Sequence, residues 1–312
     1  MEKVDFSFVI PCYCSDALVG DVLNEITAVL REKNEYQYEI IAVNDASPDQ
    51  VLDVLKERAK INKNIKILDL AKNCGKHAAL MAGYRYSRGD IIISLDDDGQ
   101  CPLEHLWDLI EPLENGYDIS IAKYPVKKQS AFKNFGSHMN NLMACALLKK
   151  PKDLQISNFS AMKRFICLEI LNYQNPYPYI DGLFLRSTGK IANVLMEERE
   201  RAVGTSGYTF WKSLSLWLNG FTAFSVRPLR VATALGGIIS AFGFLFGIWV
   251  VVSKLLHPEI MAGYSSLMAV LLFVGGMIMI LLGLIGEYIG RIYICLNNSP
   301  QYVIRERTNF DL

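Results

Sequence analysis

Three consecutive aspartates, Asp96, Asp97 and Asp98, are the residues whose types and spacing could most directly do chemistry. They follow a short apolar run at 91–95 that is typical of a buried strand. Adjacent carboxylates repel one another unless a cation or solvent offsets their charge. Mg²⁺ and Mn²⁺ take oxygen ligands, and Mg²⁺ is usually held by one or two carboxylates plus substrate phosphates. The cluster indicates a divalent-metal site, the alternative being an acidic, solvated turn that caps the next helix.

The elements that must position this cluster alternate between strand-like and helical patterns. Strands are expected in five apolar runs, at 6–10, 39–43, 65–70, 91–95 and 119–122. Helical patterns lie between them, at 18–30, from 52 onward, at 77–86 and at 103–113. Strands and helices that alternate at this interval predict a mostly parallel sheet with right-handed crossovers, and hence an α/β fold.

Polar segments follow each of the first four predicted strands, at 11–16, 44–49, 73–76 and 96–100. Open α/β sheets bind ligands at the carboxyl ends of their strands, so these segments are expected to lie along one rim. Neither the G-x-G-x-x-G pattern nor a Walker A loop is present. A nucleotide bound at this rim would be held mainly by carboxylates and metal, and not by a glycine-rich cradle.

Composition and charge narrow the classes of partner. The chain has 32 Lys plus Arg and 32 Asp plus Glu, so its formal net charge is zero. This balance does not favour nucleic acid as a partner. Two long runs, 231–253 and 260–286, contain no charged residue. A bilayer core needs about 20 such residues per helix, so both runs are predicted to span a membrane.

The flanks of these runs predict the topology. Arginines lie before the first run and after the second, at Arg227, Arg230, Arg291, Arg305 and Arg307. The positive-inside rule then places both ends of the chain in the cytoplasm, although Lys254 in the short connecting loop weakens the bias. No basic segment followed by a long apolar stretch opens the sequence, so no signal peptide is expected. We expect a protein of the inner cell membrane with two spans.

The segment 208–221, just before the first run, is rich in aromatic residues and includes two tryptophans. It could be a core helix of the preceding domain. Its position beside Arg227 and Arg230 favours an amphipathic helix in the headgroup region of a membrane.

Four strand-end motifs together carry a family resemblance. VIPCYCSD, VNDASPD, NCGKHAAL and LDDDGQCPLE begin at Val9, Val43, Asn73 and Leu95. In this order they resemble the GT-A nucleotide-sugar domain of inverting family-two glycosyltransferases. The pattern R-x-x-G-x-S-x-Y at 201–208 and the segment FSVRPLR at 224–230 are similar to the polyprenyl-phosphate branch of that family, which includes dolichol-phosphate mannose synthases.

The resemblance implies a fold and a division of the chain. The fold is α/β, with a Rossmann-like GT-A sheet domain, amphipathic interface helices and two C-terminal transmembrane helices. The implied parts are a cytoplasmic catalytic domain, an interfacial helix with linker, a two-helix membrane domain and a cytoplasmic tail, at 1–207, 208–230, 231–290 and 291–312.

The resemblance also implies roles for individual residues. The catalytic residues would be Asp98, Arg201 and Lys76. The metal, Mg²⁺ or Mn²⁺, would be bound by Asp96, Asp98 and Gln100. The nucleotide sugar would contact Pro11, Tyr13, Asp45, Lys76, Asp96, Asp97 and Gln100, with the middle aspartate turned away or in a supporting position. The acceptor phosphate would contact Arg201, Ser206 and Tyr208. Taken alone, Arg201 belongs to a mixed-charge run that could be a solvated face, Lys76 could be a surface lysine, and Asp45 could be a turn aspartate.

Four positions depart from the pattern of the family. Asn44 replaces the usual first aspartate of the D-D-G-S loop, and Ala46 replaces its glycine. Cys14 replaces the usual asparagine after P-x-Y. Asn158 stands where relatives often carry an acidic residue, so it is assigned no catalytic role.

The implied reaction transfers a sugar, with inversion, from a nucleoside-diphosphate sugar, most simply UDP-linked, to a membrane polyprenyl phosphate. A hexose, an N-acetylhexosamine and an aminoarabinose all remain open as the sugar. The phosphate nucleophile is largely ionised at neutral pH, so no strong general base is expected. The rival interpretations are a processive polysaccharide synthase, an inactive nucleotide-sugar-binding scaffold and a transporter with a regulatory domain.

Small-xxx-small pairs at Gly243 and Gly247 and at Gly286 and Gly290 permit close helix contact, and relatives form tetramers.

Overall fold

The structure is a computed structural model that describes residues 3–33, 36–125, 151, 153–197, 199, 227–256, 263–297 and 299–310. Its strands are β1 (Phe6–Cys12), β2 (Tyr38–Asn44), β3 (Ile65–Leu70), β4 (Ile91–Ser94), β5 (Ile119–Lys123), β6 (Ser160–Lys163), β7 (Ile191–Leu195) and β8 (Ile304–Thr308). Its α-helices are α1 (Val19–Glu32), α2 (Val51–Ile61), α3 (Lys76–Tyr86), α4 (Leu106–Glu114), α5 (Arg164–Leu171), α6 (Ile180–Ser187), α7 (Arg227–Leu256) and α8 (Tyr264–Leu296).

The eight described strands form one sheet in the order β7-β5-β6-β4-β1-β2-β3-β8. The first four are mutually parallel, because β1 pairs with β2 and β4, and β2 pairs with β3. Strands β6 and β8 run antiparallel to their neighbours. The predicted mostly parallel α/β sheet is confirmed, and the carboxyl ends of β1 to β4 share one rim.

Alternation along β2 shows how the sheet separates two apolar layers. Ile40 and Ala42 belong to the core that also contains residues of α1, α2 and α4, whereas Ile41 and Val43 pack with Ala79 of α3. Successive side chains of a strand point to opposite faces, so a strand buried on both faces reads as an unbroken apolar run. Helices therefore cover both faces and leave the rim of the sheet open to ligands.

Strand β1 continues through Pro11 to Cys12, so the predicted end of this strand at residue 10 is wrong by two residues. Proline lacks the N–H that a central ladder requires. Pairing of β1 with β4 ends at Val9 and Ser94, so Pro11 lies beyond that ladder and is aligned only with Val43 of β2. The extension carries the backbone of β1 directly to the rim.

The chain divides into two compact units, one of Met1–Phe210 together with Asn298–Leu312, and one of Trp211–Asn297. The second unit contains α7 and α8, which overlap the two uncharged runs. Among the described residues, one stretch of helix, Phe273–Leu296, is long and apolar enough to cross a membrane, and Gly236–Phe246 is a shorter apolar stretch. One candidate span is thus supported, and the second remains a prediction.

Candidate active site

The predicted metal ligand Asp96 lies at the end of β4 and is contacted from two sides. Lys76 Nζ, at the first residue of α3, pairs with Asp96 Oδ1. The side-chain amide of Asn158 donates to Asp96 Oδ2 at 2.5 Å. Asn158, which was assigned no catalytic role, therefore lies beside the acidic cluster, two residues before β6. Its nearness could not be read from the sequence because β6 joins β4 across a long separation along the chain.

Asp97, the middle aspartate, connects two loops at the rim. Its Oδ2 accepts the backbone N–H of Tyr13 at 2.9 Å, which ties the loop after β4 to the loop after β1. Burial raises the pKa of Asp97 to about 6, and the hydrogen bond from Tyr13 offsets part of that rise. The Tyr13 side chain is 49% exposed, which leaves its ring accessible at the rim.

Asp98 and Gln100 lie on the turn that follows. The backbone N–H of Gln100 donates to Asp98 Oδ1 at 3.2 Å, and Gly99 supplies the positive φ of +73° that the turn requires. The Gln100 side-chain amide donates to the carbonyl of Arg199 at 3.3 Å. Arg199 in turn pairs with Glu25 at 2.7 Å and with Glu104. Arg199 was not predicted from the sequence, because its partners are distant along the chain. Its contacts hold the segment just before the predicted Arg201.

The donor set fits a hard divalent cation that also binds substrate. Within the described part of the chain, no group of three or more His, Cys, Asp or Glu side chains could hold a metal ion. The predicted oxygen ligands are the carboxylates of Asp96 and Asp98 and the amide oxygen of Gln100, and the Asp96 carboxylate also contacts Lys76 and Asn158. Mg²⁺ is commonly held by one or two carboxylates with the remaining positions filled by water and substrate phosphates, so the residues fit that mode.

Asp45, the predicted nucleotide-reading residue, connects β2 to the loop before α3. Its two carboxylate oxygens accept the backbone N–H groups of Cys74 and Gly75 at 2.7 and 2.8 Å. Asp45 is 3% exposed, and burial raises its pKa while the two backbone hydrogen bonds act in the opposite sense. Each carboxylate oxygen has the capacity to accept a further hydrogen bond. The structure thus shows Asp45 holding the loop that carries Lys76.

Two departures from the family pattern lie at strained backbone positions. Cys14 and Ala46 have φ angles of 54° and 49°, in the left-handed region. Asparagine and glycine, the residues that the resemblance leads one to expect there, adopt this conformation at least cost. The two loops still pair, since the backbone N–H of Cys14 donates to Ser47 Oγ at 2.8 Å and that of Asp16 donates to Asp49 Oδ2 at 3.1 Å. The replacements therefore add strain without opening the loops.

A small pocket continues inward from Lys76 and Asn158, lined also by His77, Tyr84, Ser94 and Asp181. His77 Nδ1 accepts the backbone N–H of Ile180 at 3.4 Å, and its ring packs edge-on against Tyr179. Burial lowers the pKa of His77, which keeps the ring neutral and able to accept that bond. The sequence contained no signal for this pocket, because α6 was not predicted.

The predicted acceptor-phosphate residues, Arg201, Ser206 and Tyr208, lie outside the described residues, as does the aromatic segment 208–221. Their roles remain predictions. Of the predicted donor-side residues, the structure brings Tyr13 to Asp97 and Lys76 to Asp96, and it joins Asp45 to the loop that carries Lys76. Pro11 and Gln100 lie at the same rim, at the ends of β1 and of the turn after β4.

Comparison with protein families identifies the class. The description "Glycosyl transferase family 2" matches residues 7–173, and "GtrB C-terminal hairpin" matches residues 227–292. The chain belongs to glycosyltransferase family 2, and it is a glycosyltransferase.

Curated relatives match over nearly the full chain. A Bacillus subtilis protein described as the uncharacterized glycosyltransferase YkcC is 31% identical over 98% of this chain and 94% of its own length. A Shigella flexneri prophage-derived bactoprenol glucosyl transferase is 31% identical over 93% of this chain and 97% of its own. An undecaprenyl-phosphate 4-deoxy-4-formamido-L-arabinose transferase of Proteus mirabilis is 31% identical over 98% and 94%.

Solved structures support the fold. Glucosyl-3-phosphoglycerate synthase from Mycobacterium tuberculosis, crystallised with Mn²⁺ and UDP-glucose, superposes with a TM-score of 0.51 at 16% identity, covering 70% of this chain and 77% of its own. Mannosyl-3-phosphoglycerate synthase from Rubrobacter xylanophilus gives 0.52 at 18% identity, covering 73% and 74%. The expected GT-A-like fold of the first unit is confirmed.

Proposed function

We propose that this chain transfers a sugar from a UDP-linked donor to the phosphate of a polyprenyl phosphate in a membrane, with inversion and with a divalent cation, Mg²⁺ or Mn²⁺. The observation that carries the proposal is the convergence of Asp45, Lys76, Asp96 and Asp98 at one rim of a GT-A sheet. Relatives similar over nearly the whole chain carry the names bactoprenol glucosyl transferase and undecaprenyl-phosphate transferase, which supports the acceptor class.

On the donor side, Asp96, Asp98 and Gln100 would hold the cation, which would stabilise the charge that grows on the leaving diphosphate. Lys76 already pairs with Asp96, and a diphosphate would offer it a second anionic partner. The loop joined by Asp45, together with Pro11 and Tyr13, would frame the nucleoside. Asp97 would support these loops through its bond to Tyr13.

On the acceptor side, the attacking group would be a phosphate oxygen, whose second pKa is about 6 in phosphate monoesters. Such a nucleophile has no proton to lose at neutral pH. Asn158, an amide that cannot act as a base, lies beside Asp96 at the position where relatives often carry an acid, which is consistent with this chemistry. Arg201, with Ser206 and Tyr208, would orient the acceptor phosphate, and catalysis would consist chiefly of positioning and electrostatics.

The proposal includes membrane attachment through two helices, α7 and α8, with the catalytic domain and both termini in the cytoplasm. The supported span in α8 and the match of residues 227–292 to a described C-terminal hairpin favour it. The proposal also includes assembly as a homotetramer, which is supported only by the glycine pairs in the two uncharged runs and by the family resemblance.

The test uses the full chain purified in detergent, a panel of nucleotide sugars, undecaprenyl phosphate and mass spectrometry of the extracted lipid. We expect a lipid-phosphate sugar that forms only with Mg²⁺ or Mn²⁺. Asp98→Ala and Arg201→Ala should abolish it, whereas Asp108→Asn, which changes an exposed carboxylate paired with His105, should not. Transfer to a soluble alcohol but not to lipid phosphate would overturn the acceptor assignment. Full activity of Arg201→Ala would overturn the role of that arginine.

A further inference from the structure

The last strand of the sheet, β8, follows the apolar helix α8 in the chain and pairs antiparallel with β3. The backbone N–H of Ala71 donates to the carbonyl of Val303 at 2.8 Å, just beyond the strand pairing. Asn309 caps this arrangement, since its amide donates to the carbonyls of Ala59 and Ile65 at 2.8 Å each. The end of the chain is therefore an integral part of the sheet that carries the candidate site.

The pairing of β8 with β3 is interrupted by a bulge at Arg305. Leu70 is aligned with Ile304 and its neighbour Asp69 with Glu306, so Arg305 is the extra residue. A bulge re-aims a side chain and is frequent beside functional sites. Here the guanidinium of Arg305 lies 3.5 Å from Asp69 Oδ2 and donates to the carbonyl of Ala71 at 2.9 Å.

Asp69 connects this bulge to the donor loop. It is 2% exposed, and a buried carboxylate requires partners. Its Oδ1 accepts the side-chain amide of Asn44 at 2.8 Å, while Arg305 approaches the other oxygen. Asn44 Oδ1 in turn accepts the backbone N–H of Ser47 at 3.2 Å, within the loop that begins with Asp45.

This contact explains the departure at position 44. An aspartate there would put two carboxylates at hydrogen-bonding distance in a buried site, where like charges repel strongly. Asn44 can donate to Asp69, so the pair has one charge and Arg305 offsets it. We infer that Asp69 and Arg305 are positioning residues for the nucleotide, through which the C-terminal strand braces the Asn44–Asp45 loop.

The inference rests on the proposed function, because it assumes that this loop binds the donor nucleotide. It predicts that Arg305 affects donor affinity and not the acceptor. Arg307 is the matched control, because it lies in the same strand and its guanidinium stacks over the ring of Tyr86 instead of contacting Asp69.

The first test measures UDP affinity of the full chain in detergent, by calorimetry with Mn²⁺ present, and the Michaelis constants for donor and acceptor. Arg305→Ala should weaken UDP binding and raise the donor constant by about 3- to 10-fold, with an unchanged acceptor constant. Arg305→Lys should keep most of the wild-type affinity for UDP. The UDP affinity of Arg307→Ala should be within about 2-fold of that of the wild type.

The second test exchanges the amide and the carboxylate. Asn44→Asp should weaken UDP binding at least about tenfold, and adding Asp69→Asn should recover it to within about 3-fold. Thermal unfolding of each variant separates folding from binding.

If the wild type binds no UDP, the proposed function and this inference both fail. If the wild type binds UDP while Arg305→Ala binds it equally well and the double variant does not recover, the inference alone is overturned.

Discussion

Gly83, inside α3, provides a test of how that helix positions the site. A Cβ at this position would lie 2.2 Å from Val9 Cγ1 and 3.3 Å from Val43 Cγ2. Non-bonded carbon atoms prefer a separation of about 3.5–4.0 Å, so Gly83→Ala requires a relative shift of roughly 1.5 Å. Val9 is fully buried in the central strand, so α3 must move away from the sheet.

The expected cost has two opposing parts. Overpacking of a core costs about 1–3 kcal/mol, and replacing a helical glycine by alanine gains about 1 kcal/mol. The net loss is therefore about 0–2 kcal/mol, which corresponds to a fall in Tm of at most roughly 8 °C for a unit of this size. The effect on activity should be larger, because Lys76 begins α3 and a displacement of about 1 Å can cost about 100-fold.

The assay compares thermal unfolding and kcat/KM of the full chain in detergent. Gly83→Ala should lose about 10- to 100-fold in kcat/KM at 25 °C, where the protein is still folded. Gly189→Ala is the control, since a Cβ there meets no atom within 4 Å, and it should change neither quantity. An unchanged Tm together with unchanged kcat/KM in Gly83→Ala would refute the close approach of α3 to β1 and its role in placing Lys76.

Three further predictions follow from the site. Ala46→Gly and Cys14→Asn should each raise the free energy of unfolding by up to about 1 kcal/mol in chemical denaturation, because they relieve left-handed strain, and a loss of stability in both would contradict that reason. Burial lowers the pKa of His77 below the 6.5 of the unfolded chain, so the contribution of His77 to stability is present above pH 6.5 and is lost as the pH falls below that value. His77→Gln should therefore flatten this part of the plot of stability against pH. A plot identical to that of the wild type would exclude a contribution from His77. Chelation with EDTA should abolish sugar transfer, and Mg²⁺ or Mn²⁺ should restore it, whereas undiminished activity after exhaustive chelation would exclude a metal at Asp96 and Asp98.

The parallel half of the sheet could be predicted because its signals are local. Strands β1 to β4 are short apolar runs bounded by polar turns, and burial on both faces makes such runs continuous. The loops at their ends were correctly expected at one rim, because parallel strands present all their carboxyl ends to the same edge.

Strand β8 could not be predicted in this way. Its sequence, IRERT, alternates without an apolar face, and charged residues are typical of edge strands. Its pairing depends on β3, from which it is separated by most of the chain, and on interactions of Asn309 and Phe310 that only the folded sheet creates. The contact of Arg199 with Glu25 could not be predicted either, because these two residues are also far apart along the chain.

The asparagines at 44 and 158 can be understood by one electrostatic rule. Each stands where the resemblance leads one to expect an acid, and each donates its amide to a carboxylate on a neighbouring element, to Asp69 and to Asp96 respectively. An acid at either position would place a second carboxylate at hydrogen-bonding distance from the first, whereas the amide can donate a hydrogen bond to the carboxylate. The replacements therefore preserve the arrangement of the site.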